Sequence, residues 1–219
     1  MATQEATPQG GVSFETDEET RLILQSLDDF VEQEVQPIED DLGDTYTNKR
    51  KRHEDDGRYV PEVREAIQEV RRRSAEAGFY AMNLAEEDGG EGVSNVTWYE
   101  AKKAVAASGV PMAEHVLAGP EGPKPLLMLA EGEQVQRYLE PAVRAEKSTA
   151  FAQTEPGVGS DSPNMSTTAE RDGDEWVING EKYWIGNGVE ADWVTLYAKT
   201  GDDPNNRYGN YSLFLVPTD

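Results

Sequence analysis

Two of the side-chain types that most often act as nucleophiles or as acid–base groups, cysteine and histidine, are absent or scarce in this sequence. The chain has no cysteine, which excludes disulfides, a thiolate nucleophile and a zinc ribbon. Neither His53 nor His115 has a second ligand at metal spacing, so no metal site is expected and both histidines are predicted to be structural or solvated. Glu155 and Asp161, in the segment TEPGVGSD, are the carboxylates most tempting as an acid and a base.

A glycine-rich stretch, AEEDGGEGVSN, invites a nucleotide-binding interpretation. Gly90, Gly92 and Asn95 stand at the three glycine positions of a dinucleotide-binding loop. The third glycine is missing, and no clear strand precedes the stretch. We therefore predict a turn that leads into the next helix.

The net charge of the chain argues against negatively charged binding partners. With 20 basic and 43 acidic residues, the net charge is −23, which argues against nucleic acids and anionic membranes. No apolar run approaches the roughly 20 residues of a membrane helix, and the start MATQEATPQG lacks the features of a signal peptide, so a cytoplasmic protein is expected. The scattered acidic residues suggest adaptation to high salt, which screens their repulsion.

Helical periodicity dominates the first two thirds of the chain. Thr16 and Glu19 form a capping-box pattern before an amphipathic helix, which Pro37 is expected to bend or stop. Pro61 is well placed to begin a second helix, and Gly78 to end it. Between these helices, residues 40–58 are predicted to form a loop or a frayed extension. Further helical patterns cover 96–107 and the stretch from 126 through GEQVQRYLEPAV.

After Thr149 the pattern changes to short β-branched and aromatic runs separated by turn residues. The predicted strands are 167–171, 176–178, 182–185, 193–198 and 211–216. The predicted fold class is α+β, an amino-terminal helical bundle domain followed by an antiparallel, β-barrel-like middle domain. The predicted boundaries are a flexible acidic tail at 1–15, a helical domain at 16–149 and an incomplete β domain at 150–219.

Residues 151–200 resemble the middle domain of the acyl-CoA dehydrogenase family. In that family a T-E-P-x-x-G-S-D loop leads into strands, and a K-x-W-I-[ST]-N segment follows a W-x-x-N-G turn. The corresponding segments here are 154–161, 182–187 and 176–180. EVQP, GFYAMNLAEEDGGEG and QRYLEPAVRAEKSTAFAQTEP also resemble the family's amino-terminal domain, so the resemblance covers nearly everything after residue 15.

The resemblance implies an FAD site and an order of residues along it. Phe151, Ala152, Gln153 and Thr154 would run along the edge of the flavin. Backbone amides and the Thr154 hydroxyl would donate hydrogen bonds to its pyrimidine end. An isoalloxazine ring also needs a flat apolar face and a polar group near N5.

The remaining implied contacts come from two other segments. Gly159 and Ser160 would lie near the pyrophosphate, with Ser160 also near the bound thioester substrate. Trp184, Ile185 and Gly186 would place the indole against the flavin face and backbone polar atoms near N5.

Three positions depart from the family pattern, and two carboxylates have a structural role in that pattern. Gln153 replaces an aliphatic residue, Val158 a small residue, and Gly186 a common Ser or Thr. The missing hydroxyl at Gly186 removes about 1 kcal/mol of net hydrogen bonding. Glu155 and Asp161 fix the loop in the family, so the resemblance argues against an acid–base pair there.

The resemblance further implies α,β-dehydrogenation of an acyl-CoA thioester, with electron-transferring flavoprotein as acceptor and a homo-oligomer when complete. Family members carry a carboxy-terminal helical bundle that supplies a glutamate base, and this sequence does not contain that bundle. No catalytic residue is therefore assigned within this chain, which is expected to be inactive alone. The alternatives are an acyl-CoA oxidase-like flavoenzyme and a non-enzymatic fragment or binding module of the same fold.

Overall fold

A computed structural model describes residues 16–206 and 209–218, which form a helical region followed by a five-stranded sheet. The helices are α1 (Glu18–Phe30), α2 (Gln36–Leu42), α3 (Asp44–Thr47), α4 (Pro61–Glu76), α5 (Asn95–Ala107) and α6 (Glu140–Val143). The strands are β1 (Thr149–Ala152), β2 (Thr168–Asp172), β3 (Glu175–Asn179), β4 (Trp193–Lys199) and β5 (Tyr211–Pro217). The predicted α+β class is confirmed. The predicted tail at 1–15 lies outside the described residues.

The start of α1 differs from the predicted capping box. Asp17, rather than Thr16, is the N-cap, and its Oδ1 accepts a hydrogen bond of 2.7 Å from the Thr20 N–H. Aspartate caps a helix at least as well as threonine does, so the next residue along the chain takes the role. The prediction of Thr16 as the cap is wrong, whereas the amphipathic helix it introduces is present.

Pro37 bends the helical path without ending it. A π-helical segment, Val31–Val35, follows α1 directly and is closed by the Gln36 N–H donating to the Val31 carbonyl. Proline has no N–H to donate, and the wide turn before it accommodates that loss. The chain then continues through α2 and the short α3, so the first part of the predicted loop at 40–58 is helical.

The second predicted helix has the expected ends. Pro61 begins α4, and Gly78, with a φ of 83°, follows its last turn. Val63, Ile67 and Val70 are buried on one face of α4. They belong to a core that also takes in apolar side chains of α1 and α5, so the helical region is built around one hydrophobic cluster.

The glycine-rich stretch forms a turn, as predicted. It contains a short 3₁₀ helix, Glu86–Asp88, and ends where Ser94 caps α5 by accepting from the Thr97 N–H at 3.1 Å. A Cβ added at Gly90 would lie 2.3 Å from the Leu84 carbonyl oxygen. Glycine is therefore needed here for close backbone packing.

The sheet is mixed, with β4 at its centre. β5 pairs antiparallel with one edge of β4, while β1 pairs parallel with the other edge. β2 joins the β1 edge further along, through Thr168 opposite Lys199, and forms an antiparallel hairpin with β3. The prediction of an antiparallel, barrel-like sheet therefore needs correction in detail. Parallel pairing is possible because a long crossover separates β1 from β4, and the described strands leave the sheet open.

Two strand assignments differ from the predictions. The predicted strand at 182–185 is wrong, because Trp184 has a φ of 57° and Asn187 a φ of 63°, values that a strand does not accommodate. That stretch is a loop. Conversely, β1 was not predicted as a strand, since four residues give little alternation to detect.

Trp193 connects the sheet to the helical region. Its ring is 2% exposed and meets the Tyr138 ring edge-on, with centroids 5.3 Å apart. Leu127 and Leu139 complete this second hydrophobic cluster. Within residues 16–206 and 209–218, no helix is both long enough and apolar enough to cross a membrane.

Candidate functional site

The predicted site residues lie on β1, on the turn after it and on a second loop. Phe151 is 43% exposed on β1, opposite Thr195, whereas Ala152 is buried. Gln153 and Thr154 follow the strand and are half-buried. Because the Ala152 side chain faces the interior, only its backbone is available to a ligand.

Two motifs far apart in sequence meet at the end of β1. The Tyr183 N–H donates to the Thr154 carbonyl at 2.9 Å, and Lys182 Nζ donates to the Gln153 carbonyl at 3.1 Å. The segment that carries Trp184 is thereby held beside the segment that carries Thr154. We call residues 182–190 the Trp184 loop.

Glu155 anchors this junction through a buried ion pair. Its Oε1 lies 2.8 Å from Lys182 Nζ, and the two side chains are 1% and 8% exposed. The carboxylate also accepts hydrogen bonds from the Ser166 N–H at 2.6 Å and the Thr167 N–H at 3.0 Å. Burial opposes ionisation, but these donors outweigh it and hold the pKa of Glu155 well below its usual range. Glu155 is ionised and engaged, so it fixes the loop.

The turn after Glu155 exposes the next two predicted residues. Glu155 and Val158 exchange backbone hydrogen bonds of 2.9 and 3.0 Å around Gly157, whose φ is 83°. Gly159 and Ser160 follow on the surface. Among the described residues, this turn is joined to the Trp184 loop through the Lys182–Glu155 pair.

Asp161 belongs to the local structure of the same turn. Its carboxylate accepts from the Asn164 side-chain amide, and its carbonyl accepts from the Asn164 N–H at 3.0 Å. These bonds hold the start of a short 3₁₀ helix, Ser162–Asn164.

The Trp184 loop presents an aromatic ring to solvent. Trp184 is 89% exposed, the highest value among the exposed large apolar side chains of the described chain. The loop backbone is nevertheless held, because the Asn187 side-chain amide donates to the Thr149 carbonyl at 3.1 Å. A large apolar ring on a fixed loop is typical of a binding surface.

Several hydrogen-bond donors of the predicted site have no partner among the described residues. In the part of the chain that the structure describes, the backbone N–H groups of Trp184, Ile185 and Gly186 donate to no protein acceptor. The hydroxyls of Thr154 and Ser160 likewise have no partner among the described residues. A flat aromatic face beside several free donors fits the needs of a flavin ring with its carbonyl and ring-nitrogen acceptors.

Gly186 leaves room for a larger residue. A Cβ added at this position would have no neighbour within 4 Å, and its φ lies outside the left-handed region. The absence of a Ser or Thr hydroxyl here is therefore not imposed by packing.

Sequence reasoning missed two residues that position the loops, Lys182 and Asn187. Both were visible as the first and last letters of the K-x-W-I-x-N segment, but the predicted site took only its central residues. Their partners, Glu155 and Thr149, lie 27 and 38 positions away in sequence. Neither pairing follows from spacing alone.

Two family models match the chain in succession. The model described as acyl-CoA dehydrogenase, N-terminal domain, matches residues 17–146, and the model described as acyl-CoA dehydrogenase, middle domain, matches residues 150–219. Together they take in nearly all of the described structure.

Individual proteins and a solved structure are also similar to this chain over most of its length. The chain is 31% identical to the short-chain specific acyl-CoA dehydrogenase, mitochondrial, of Mus musculus, over 94% of this chain and 45% of that protein. It is 36% identical to the caffeyl-CoA reductase-Etf complex subunit CarC of Acetobacterium woodii, over 72% of this chain and 41% of that protein. An acyl-CoA dehydrogenase of Bacillus anthracis crystallised with FAD has a TM-score of 0.66 and 27% identity, over 94% of this chain and 32% of that chain.

The chain spans less than half of the length of each of these proteins. Both domain models match in the order and at the positions where the helical region and the sheet lie. This chain therefore belongs to the acyl-CoA dehydrogenase family.

Proposed function

We propose that this chain is the FAD-binding part of an enzyme that catalyses α,β-dehydrogenation of an acyl-CoA thioester. The observation that supports this most is the Trp184 loop, a fixed loop that combines an exposed indole with free backbone donors. The proposed division is a helical domain at 16–149 and a β domain at 150–219.

The residues proposed to hold FAD are those that the family pattern placed along the flavin. Thr154 and Ser160 contribute hydroxyl donors, Trp184 an aromatic face, and Ile185 and Gly186 backbone N–H groups. Phe151, Ala152, Gln153 and Gly159 complete the proposed set, with Ser160 also reaching the substrate. When bound, FAD accepts the hydride that leaves the substrate.

The catalytic base is proposed to lie outside the chain. Glu155 is ionised, buried and paired with Lys182. Glu190, at the other end of the Trp184 loop, is bound by Tyr59 and Arg64. A base must reach the proton that it removes, and both of these carboxylates are already engaged by the protein. A glutamate from a segment beyond this chain is the proposed base.

The partners are proposed from the same family expectation. They are an acyl-CoA substrate, electron-transferring flavoprotein as acceptor and further copies of the complete protein, in the cytoplasm. One relative of this chain is named as a subunit of a complex with an Etf. The net charge of −23 argues against nucleic acids and anionic membranes.

An anaerobic reduction experiment tests the placement of the base. The purified chain, mixed with excess FAD, is given a series of saturated acyl-CoA thioesters while the flavin absorbance is followed, with dithionite as the positive control. We expect weak FAD binding and no bleaching by any thioester. Bleaching by a thioester would mean that the base lies within this chain and would contradict the proposal.

A further inference from the structure

One side chain joins the Trp184 loop to the helical region. Glu190 Oε1 accepts a hydrogen bond of 2.7 Å from the Tyr59 N–H, and Glu190 Oε2 accepts one of 2.9 Å from Arg64 Nε. Tyr59 lies just before α4, and Arg64 lies in its first turns. The end of the loop is therefore bound to the start of a helix from the other part of the fold.

This contact is a closed arrangement of three residues. Arg64 Nη2 also donates to the Tyr59 carbonyl at 2.7 Å, so Arg64 holds both the backbone and the carboxylate. The Glu190 side chain is 15% exposed and the Arg64 side chain 44%, compared with 34% and 46% for Glu69 and Arg72 within α4. Hydrogen bonds between charged groups are stronger than bonds between neutral groups, and the carboxylate is the more buried partner here.

The backbone of Glu190 ties the contact to the rest of the loop. Its N–H donates to the Asn187 carbonyl at 3.1 Å, and its carbonyl accepts from Ser148 Oγ at 3.1 Å. Toward the amino terminus, the loop is held by the Lys182–Glu155 pair within the β region. Trp184 thus lies between one anchor on the sheet side and one anchor on the helical side.

We propose that Glu190 is a positioning residue that fixes the Trp184 loop relative to α4. Without this contact, the loop keeps its anchor at Glu155 but loses the bonds of the Glu190 side chain to Tyr59 and Arg64. The orientation of the Trp184 ring and of the free N–H groups beside it then changes. The inference rests on the proposed flavin site for its functional consequence, although the loop contact itself can be measured without FAD.

Hydrogen–deuterium exchange of the full chain tests the contact directly. In Glu190→Ala, exchange at the Gly188 and residue-190 amides, which bond to Ile185 and Asn187, should accelerate about tenfold, as expected for the loss of charge-assisted bonds. Exchange within α5 should stay unchanged. Glu190→Gln keeps an acceptor for the Tyr59 N–H and should restore part of the protection.

Matched variants separate positioning from general damage. Glu181→Gln removes a charge from an exposed residue that has no side-chain partner among the described residues, and it should leave exchange unchanged. Arg64→Gln should accelerate exchange in the same amides, and the double variant Arg64→Gln/Glu190→Ala should add little to Glu190→Ala. If Glu190→Ala fails to fold, Arg64→Gln carries the test, because its side chain is 44% exposed.

The FAD titration distinguishes the inference from the function on which it rests. Wild-type chain that binds FAD, together with Glu190→Ala that binds it about tenfold more weakly and alters its induced circular dichroism, supports both. Accelerated exchange in a chain that binds no FAD supports the contact and overturns the flavin site. Unchanged exchange in both Glu190→Ala and Arg64→Gln overturns the inference, whatever the chain binds.

Discussion

Two groups of polar residues in this molecule differ in how many of their hydrogen-bonding groups have partners within the protein. In the helical region, a His115 cluster comprises Tyr46, Arg71, Glu114, His115 and Glu121. Tyr46 bonds to His115 Nε2 at 2.9 Å, and Arg71 pairs with Glu121 at 3.3 Å. Every member of this cluster has a partner within it, although the buried Nε of Arg71 has no hydrogen-bond partner among the described residues.

The Trp184 loop is the opposite case. Its Lys182–Glu155 anchor is buried and paired, but its central residues expose an indole and donate no backbone hydrogen bond to the described protein. A polar network that satisfies itself stabilises the fold, whereas fixed groups left unsatisfied at a surface are available to a ligand. This contrast favours a structural role for the His115 cluster and supports the proposed binding role of the Trp184 loop.

The largest effect is expected from breaking the loop's buried anchor. Glu155→Ala leaves Lys182 buried without a counter-charge, and Lys182→Met does the same to Glu155. Removing one partner of a buried pair costs about 3–5 kcal/mol of the free energy of unfolding. Urea denaturation measures the loss, with Glu175→Ala at an exposed position as the control. A loss in Glu155→Ala no larger than in the control would show that the buried pair does not stabilise the fold.

A smaller effect is expected from the His115 cluster in acid. Burial, followed by the nearby Arg71 and Arg52, lowers the pKa of His115 from its ordinary 6.5 to about 3. The unfolded chain therefore binds more protons between these values, and stability falls as the pH drops below about 6.5. Above that pH the contribution is fully present.

Denaturation curves at different pH values test whether the stability falls in acid because of His115. Between about pH 7 and about pH 5, the wild type should lose about 2 kcal/mol more of its unfolding free energy than His115→Gln does. His53→Gln, at the half-exposed histidine that stacks on Tyr59, should follow the wild type. Parallel curves for His115→Gln and the wild type would show that His115 does not carry the pH dependence.

The smallest of these effects tests whether position 186 faces the cofactor. Gly186→Ser adds a hydroxyl where nothing lies within 4 Å of the new Cβ, so the fold should accept it. One additional hydrogen bond is worth about 1 kcal/mol, which corresponds to FAD binding tighter by about fivefold. Gly186→Ala, which adds only the methyl group, is the matched control. Equal FAD affinities for the two variants would mean that this position does not face the cofactor.

The sequence predicted the helical region better than the sheet. Pro61 and Gly78 marked α4 because each residue acts through its own backbone conformation. Thr16 and Asp17 are both good capping residues, and the local pattern does not show which of the two caps the helix. The aromatic and β-branched run at 182–185 resembled a strand, but the positive φ of Trp184 arises from tertiary contacts at both ends of its loop.

From the sequence, the motifs of the site could be predicted, but the contacts between them could not. The loops around Thr154 and Trp184 were recognisable as patterns, and the structure brings those two segments together. The burial of the Lys182–Glu155 pair and the contact of Glu190 with α4 depend on residues distant in sequence, with 131 positions between Tyr59 and Glu190. Such pairings follow from the folded arrangement and not from spacing along the chain.

Titration of FAD into the full chain, followed by flavin fluorescence, tests the proposed binding of the flavin by the Trp184 loop. Trp184→Ala is compared with Tyr99→Ala, which removes another exposed aromatic ring, on α5 and outside the proposed site. We expect Trp184→Ala to weaken FAD binding about tenfold, through the loss of ring stacking, and Tyr99→Ala to bind as the wild type does. Equal FAD affinity in Trp184→Ala and the wild type would contradict that proposal.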